Sequence, residues 1–262
     1  MGKVYLVGAG PGDPELLTLK AARLLANAEV VLCDSLVGPG VLALIGKQAT
    51  VIDVGKRCGT KLLTQDEINS LLIAYAEKAG VVVRLKGGDP TLFGRAGEEI
   101  AALREAAVPY EIVPGITAAL GSAAAAGISL TDRHLASQVL FTTFSRKPES
   151  SGLDWGVIGG NTTVAIYMPG PDYGEVATRL LDAGVSADTP CVIVSQASGS
   201  EQKLRWLDVA ALYDAERLPA PALLIVGKVA TRQAYEAEAG FVLDILAKAR
   251  AFEAELNPWS SN

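Results

Sequence analysis

The sequence predicts an α/β protein of two α/β lobes with a ligand cleft between them, and three observations carry that reading. Runs of β-forming residues alternate with segments of helical period along the chain. Two glycine-rich stretches, Gly8-Ala9-Gly10-Pro11-Gly12-Asp13-Pro14 and Gly87-Gly88-Asp89-Pro90, each follow a strand-like run and precede a helix-like one. They place bare backbone at the carboxyl ends of strands, where open α/β sheets take their ligands. The 262 residues, half of them apolar, suffice for two units with sizeable cores. The expected division is 1–113, carrying the glycine loops, and 114–262, carrying a small-residue connecting helix and a terminal helix.

The elements follow in order. Residues 3–7 alternate and then run apolar, as a buried first strand does. Over 15–26, Leu16, Leu19, Ala22 and Leu25 recur on one helical stripe. A second strand over 29–33 ends at Asp34, and a third over 50–54 runs into Gly55-Lys56-Arg57-Cys58-Gly59-Thr60-Lys61, three cations in one loop. Thr64 and Glu67 have the spacing of a capping box for a helix over 65–78. The central strand ends at Lys86, and 94–107 forms a helix with Ile100 and Leu103 on one face. A fifth strand, 109–113, leads to a helix over 116–126 that carries Thr117 and Ser122, either ligand contacts or backbone caps. Beyond a polar stretch at 130–134 and a solvated loop at 145–152, strands are expected over 138–144, 162–168, 191–196 and 222–229. Helices are expected over 173–183 and 208–216, and 241–256 is amphipathic, a packed helix or a partner surface.

Composition removes several function classes. A net charge of −6 argues against a sequence-independent nucleic-acid binder, which needs a positive field. The single histidine, His134, leaves little room for zinc or Ser-His-Asp chemistry, and Cys33, Cys58 and Cys191 have no metal spacing. No metal is expected. No run approaches the ~20 apolar residues of a membrane helix, and no basic-plus-apolar leader is visible, so a cytoplasmic location is expected. The first glycine loop is not a phosphate loop. The third glycine of a dinucleotide fingerprint falls at Asp13, Pro11 removes an amide, and an acid stands where the helix should greet an anion. A cationic or neutral cofactor fits better, and S-adenosylmethionine, a sulfonium, is the candidate. Asp34, at a strand end, is either a turn cap or an acid–base group.

These residues together resemble the tetrapyrrole methylase family. The matching strings are GAGPGDPELLTLKA from Gly8, VGKRCG from Val54, QDEIN from Gln65, VRLKGGDPTLFGRAGEE from Val83 and VPGIT from Val113. The resemblance implies two methyl transfers from S-adenosylmethionine to ring carbons C2 and C7 of uroporphyrinogen III. The products are precorrin-2, on the way to sirohaem and cobalamin, and S-adenosylhomocysteine. It also implies a homodimer with no nucleic-acid or membrane partner, and, with no chelatase or dehydrogenase extension visible, a single-activity form. Carried over by position, Pro11, Gly87, Gly88, Asp89, Leu92, Thr117, Ala118, Met168 and Ala197 contact the cofactor. Asp34 accepts a proton and Lys56 donates one. The tetrapyrrole's carboxylates fall to Arg57, Lys61, Lys86, Arg95 and Arg133. Where the family usually carries histidines this chain has Lys61, Asp132 and Ser145. That difference keeps two alternatives open: a related methylase for a modified tetrapyrrole, and a catalytically weak tetrapyrrole or S-adenosylmethionine binder.

Overall fold

A computed structural model describes residues 1–55, 63–144 and 158–231. Lys56, Arg57, Lys61, the 145–152 loop and the amphipathic 241–256 segment lie outside the described residues. The first sheet holds β1 (Lys3–Gly8), β2 (Val30–Cys33), β3 (Thr50–Asp53), β4 (Val81–Lys86) and β5 (Tyr110–Val113). All run parallel, in the order β3-β2-β4-β1-β5. Most of these strands are near-continuous apolar runs because helices cover both faces. Pleating sorts the side chains. Val7, Val31, Cys33, Val83 and Leu85 pack with α1 (Leu19–Ala26) and α2 (Pro39–Leu42). Val4, Leu6, Val30, Leu32 and Val82 pack with α3 (Gln65–Ala76) and α4 (Ala96–Glu105). Each fully buried Val, Leu or Ile contributes about 1.5–3 kcal/mol, and a one-residue slip would exchange the two sets between faces.

Helix starts follow their caps. Thr64 Oγ1 accepts from Glu67 N at 3.2 Å and Glu67 Oε2 from Thr64 N at 2.7 Å, completing the expected capping box. The single helix expected over 15–26 is instead two pieces. Asp13 caps a 3₁₀ turn, Pro14–Leu16, and Thr18 Oγ1 accepts from Ala21 N at 3.1 Å to start α1. Two capping side chains so close together break what leucine periodicity reads as continuous.

The second sheet holds β6 (Gln138–Thr143), β7 (Thr162–Tyr167), β8 (Pro190–Ser195), β9 (Lys203–Asp208) and β10 (Ala222–Val226), in the order β6-β7-β10-β8-β9. Only β6 and β7 are parallel; β10 runs antiparallel between β7 and β8, and β9 is an antiparallel edge. On one face α5 (Ala118–Ala126) lays Ala119 and Ala123 against Ala165, Val194 and Leu223. On the other, α6 (Tyr173–Asp182) buries Val176 and Leu180 beside Ile166 and Ile193. The helix expected over 208–216 is not formed. Its first residue ends β9, and only a 3₁₀ turn, Ala210–Asp214, follows, with Asp208 Oδ1 accepting from Ala211 N at 2.8 Å. β9 was hidden because Lys203, Arg205 and Asp208 punctuate it, as charges do on an edge strand. No helix among the described residues is long and apolar enough to cross a membrane.

β1 lies beside both β4 and β5, although the chain leaving β1 crosses first to β2. Strand order therefore reverses around β1 and β4, and loops leaving the carboxyl ends at such a point enclose a crevice.

Candidate active site

The floor of that crevice is backbone. Gly10 N donates to Gly88 O at 3.2 Å and Gly88 N to Gly10 O at 2.8 Å, so the two glycine loops are bonded to each other. Both amides are consumed, which is not how an anion cradle is built. Gly115, just after β5, closes on the pair: a Cβ there would stand 2.4 Å from Gly88 O and 2.8 Å from Gly8 Cα. Gly88 is left-handed, with φ +66°, a conformation that glycine adopts at little cost. Asp89 fastens the assembly. Its Oδ1 accepts from Thr91 N at 2.8 Å and Thr91 Oγ1 at 2.5 Å, and its Oδ2 from Gly115 N at 3.0 Å.

Over this floor lies a cleft of about 470 Å³, within the range of small-molecule sites. Pro11, Gly87, Gly88, Asp89, Leu92, Thr117, Ala118, Met168 and Ala197 all line it, as do Asp34 and Arg95. The second lobe supplies the opposite wall. Tyr167 Oη lies 2.6 Å from Thr117 Oγ1 and accepts from Ala119 N at 3.1 Å, anchoring the start of α5. Burial pushes that phenol above its ordinary pKa. The Phe93 ring, from the first lobe, packs on Tyr167 with centroids 4.9 Å apart. Asp13 N donates to Ser198 Oγ at 3.1 Å, a second tie between lobes.

Backbone strain gathers around the same cleft. Phe93, Arg95, Met168, Gln196 and Ser198 all have φ between +49° and +60°. Each costs on the order of 1–3 kcal/mol and persists only where surrounding structure holds it, which happens most at functional sites. Met168 is nonetheless 58% exposed, so its strain presents a side chain to the cleft instead of burying one.

One end of the cleft is charged. Arg84 points from β4 into the first lobe and is buried, an arginine inside a valine run. Its Nη2 donates to Asp34 Oδ1 at 2.5 Å, its Nε to Glu99 Oε1 at 2.9 Å, and its Nη1 to the carbonyls of Leu32 and Leu85 at 3.4 and 3.2 Å. Burial works to lower the Arg84 pKa, but the charges and hydrogen bonds of Asp34 and Glu99 outweigh it and hold it above its ordinary value. Lys86, two residues along on the same face, gives its Nζ to both oxygens of Glu99 at 2.9 Å. Burial and the Arg84 charge pull the Lys86 ammonium below its usual range.

Several expectations change here. Lys86 is committed to Glu99 and is not a free holder of carboxylates. Arg133 is exposed and does not line the cleft, while its neighbour Asp132 turns the chain by accepting from His134 N and Leu135 N. Arg95 does line it, its guanidinium resting on Glu98 through two bonds of 2.8 and 2.7 Å at the surface. Sequence reasoning missed Arg84, Glu99 and Tyr167. The available signal was the alternation Arg84-Leu85-Lys86, which puts two cations on one face of a strand otherwise buried on both. Ser122 also lines the cleft, 1% exposed, its hydroxyl without a hydrogen-bond partner among the described residues.

Fold and cleft together define a class. Residues 3–212 match the Tetrapyrrole (Corrin/Porphyrin) Methylases, and the chain belongs to that family. Among individual proteins, it is 44% identical over 232 residues to the siroheme synthase of Actinobacillus succinogenes, covering 88% of this chain and 49% of that one. Siroheme synthase 1 of Cronobacter sakazakii is 44% identical over 231 residues, 87% of this chain and 49% of the relative. The chain thus spans about half the length of the curated relatives it matches. Among solved structures, uroporphyrin III C-methyl transferase from Thermus thermophilus superposes with a TM-score of 0.76 at 40% identity, covering 87% of this chain and 98% of that one. A further structure of that protein is complexed with S-adenyl homocysteine. Cobalt precorrin-4 methyltransferase gives a TM-score of 0.78 at 31% identity, covering 87% and 96%.

Proposed function

We propose that this chain transfers methyl groups from S-adenosylmethionine to C2 and C7 of uroporphyrinogen III, yielding precorrin-2 and S-adenosylhomocysteine. The product would serve sirohaem or cobalamin synthesis. The observation that carries this reading is one cleft joining a glycine-floored, largely apolar pocket to a carboxylate gripped by a buried arginine. S-adenosylmethionine fits the residues present. Gly10, Gly87 and Gly88 present backbone without side chains to the cleft, and Ser122 offers an unpartnered hydroxyl. Pro11, Gly87, Gly88, Asp89, Leu92, Thr117, Ala118, Met168 and Ala197 would hold it. When bound it supplies an electrophilic methyl on sulfonium sulfur.

The chain's own part is positioning, water exclusion and proton transfer. Leu36, Val54, Leu63, Ile68, Leu92 and Phe93 give the charged end an apolar rim. As the substrate carbon takes the methyl and the S–CH3 bond breaks, Asp34, with Oδ1 on Arg84 and its side chain 28% exposed, acts as general base. The proton it takes is one the macrocycle then loses from a pyrrole N–H or bridging methylene, since C2 and C7 carry none. Lys56 returns a proton, and Arg57, Lys61 and Arg95 meet the substrate's carboxylates. The active form is a homodimer. Incubating the protein with uroporphyrinogen III and methyl-labelled cofactor should give a product carrying two labelled methyls per macrocycle. Labelling of a different tetrapyrrole in preference to uroporphyrinogen III, or of none, overturns the reading.

A further inference from the structure

Glu99 does not line the cleft, yet it accepts four hydrogen bonds from three side chains of the first lobe. It is fully buried on α4 and accepts from Arg84 Nε, from Lys86 Nζ with both oxygens, and from Gln65 Nε2 at 3.4 Å. A guanidinium is a rigid planar fork, so the direction of one N–H edge sets the others. Glu99 fixes the Nε edge. The carbonyls of Leu32 and Leu85 fix Nη1. Nη2 is then aimed at Asp34 Oδ1, and only that oxygen of Asp34 has a hydrogen-bond partner among the described residues. Asp34, Glu99, Arg84 and Lys86 balance two negative charges against two positive ones.

We propose that Glu99 is a positioning residue for methyl transfer, acting through Arg84 to orient the Asp34 carboxylate so that its second oxygen faces the substrate. Lys86 neutralises the second charge that this arrangement buries. The proposal rests on Asp34 as the base, and it differs from a purely structural role for Glu99 in one respect: its effect on rate must pass through Asp34.

The test is a double-mutant cycle read by single-turnover methyl transfer to uroporphyrinogen III. Replacing a buried ion pair by apolar groups of similar size is often neutral for stability, so the paired variant Glu99→Leu/Lys86→Met removes the Nε anchor without stranding a charge. Misplacing a catalytic group by about 1 Å costs about 100-fold. The paired variant should accordingly turn over about 10- to 100-fold more slowly, with S-adenosylhomocysteine affinity close to the parent's and a melting temperature lower by roughly a few degrees, from the Arg84 Nε–H left without its partner. Asp34→Asn alone should lose about 100- to 10,000-fold. Adding the paired change to Asp34→Asn should cost less than about twofold more, because the two act on one group. Should the paired variant fail to fold, Glu99→Gln keeps the size and an acceptor for Arg84, and its smaller rate loss should likewise vanish beside Asp34→Asn. An unchanged rate in these variants, or losses that add to that of Asp34→Asn, overturns the positioning role alone. An Asp34→Asn protein with parental turnover overturns both this role and the base assignment.

Discussion

Consider Gly115→Ala, one methyl group placed where three glycine loops touch. Its Cβ would stand 2.4 Å from Gly88 O, 2.8 Å from Gly8 Cα and 2.9 Å from Gly8 C, all backbone atoms that cannot rotate away. Real Cβ contacts do not fall below 3.0 Å, so the loops after β1 and β4 must part from the one after β5 by at least about 0.6 Å, the gap between 2.4 and 3.0 Å. Overpacking of this kind costs about 1–3 kcal/mol. The movement also stretches the 3.0 Å bond from Gly115 N to Asp89 Oδ2, worth a further ~1 kcal/mol. A total of about 2–4 kcal/mol, at roughly 2–4 °C per kcal/mol for a chain of this size, should lower the melting temperature visibly without unfolding the protein. The same shift separates Gly88 from Thr117 and Ala118 across the cofactor pocket, so S-adenosylhomocysteine should bind at least about tenfold more weakly, equivalent to some 1.4 kcal/mol. Calorimetric titration beside a thermal melt reads both. Gly97→Ala, in the first turn of α4, is the control, since a Cβ there meets nothing within 4 Å. Parental affinity in the Gly115→Ala protein would refute the claim that backbone contact among these loops shapes the pocket.

Three further outcomes are expected. Tyr167→Phe removes the oxygen shared by Thr117 Oγ1 and Ala119 N; it should cost about 1–3 kcal/mol and weaken S-adenosylhomocysteine binding, both absent if the start of α5 is held by packing alone. Ser122→Ala deletes a buried hydroxyl without a partner, so in the ligand-free protein the melting temperature should stay level or rise by the equivalent of up to about 1 kcal/mol; a clear fall would reveal a bond there. Hydrogen bonds from Lys20 and Lys3 hold the Glu111 carboxyl at about 2, below the ~4.3 of an unfolded glutamate. A depressed carboxyl contributes stability above the unfolded value and loses it as pH falls toward the folded one. Because the group is 30% exposed, Glu111→Gln should cost no more than about 1 kcal/mol at neutral pH. That difference from the parent should shrink toward zero between about pH 4 and pH 2 in acid melts.

The sequence by itself determined the elements whose signals are local. Apolar runs marked β1, β2 and β4, because a parallel strand covered on both faces needs no polar residue. Thr64 and Glu67 marked the start of α3 within one helical turn, and the glycine loops marked strand ends where only a residue without a side chain can pass. The strings around Gly8 and Val83 were enough to point to the family. Tertiary structure alone decided the rest, and the reason is separation along the chain. Arg84 reads in sequence as a surface charge interrupting a strand; it becomes the centre of the charged end only because Glu99, 15 residues away, and Asp34, 50 residues away, converge on it. Tyr167 reaches Thr117 across 50 residues, and β10 inserts antiparallel between β7 and β8 although both precede it. A buried charge is stable only when its partners arrive from other elements, and no local pattern records which elements those will be.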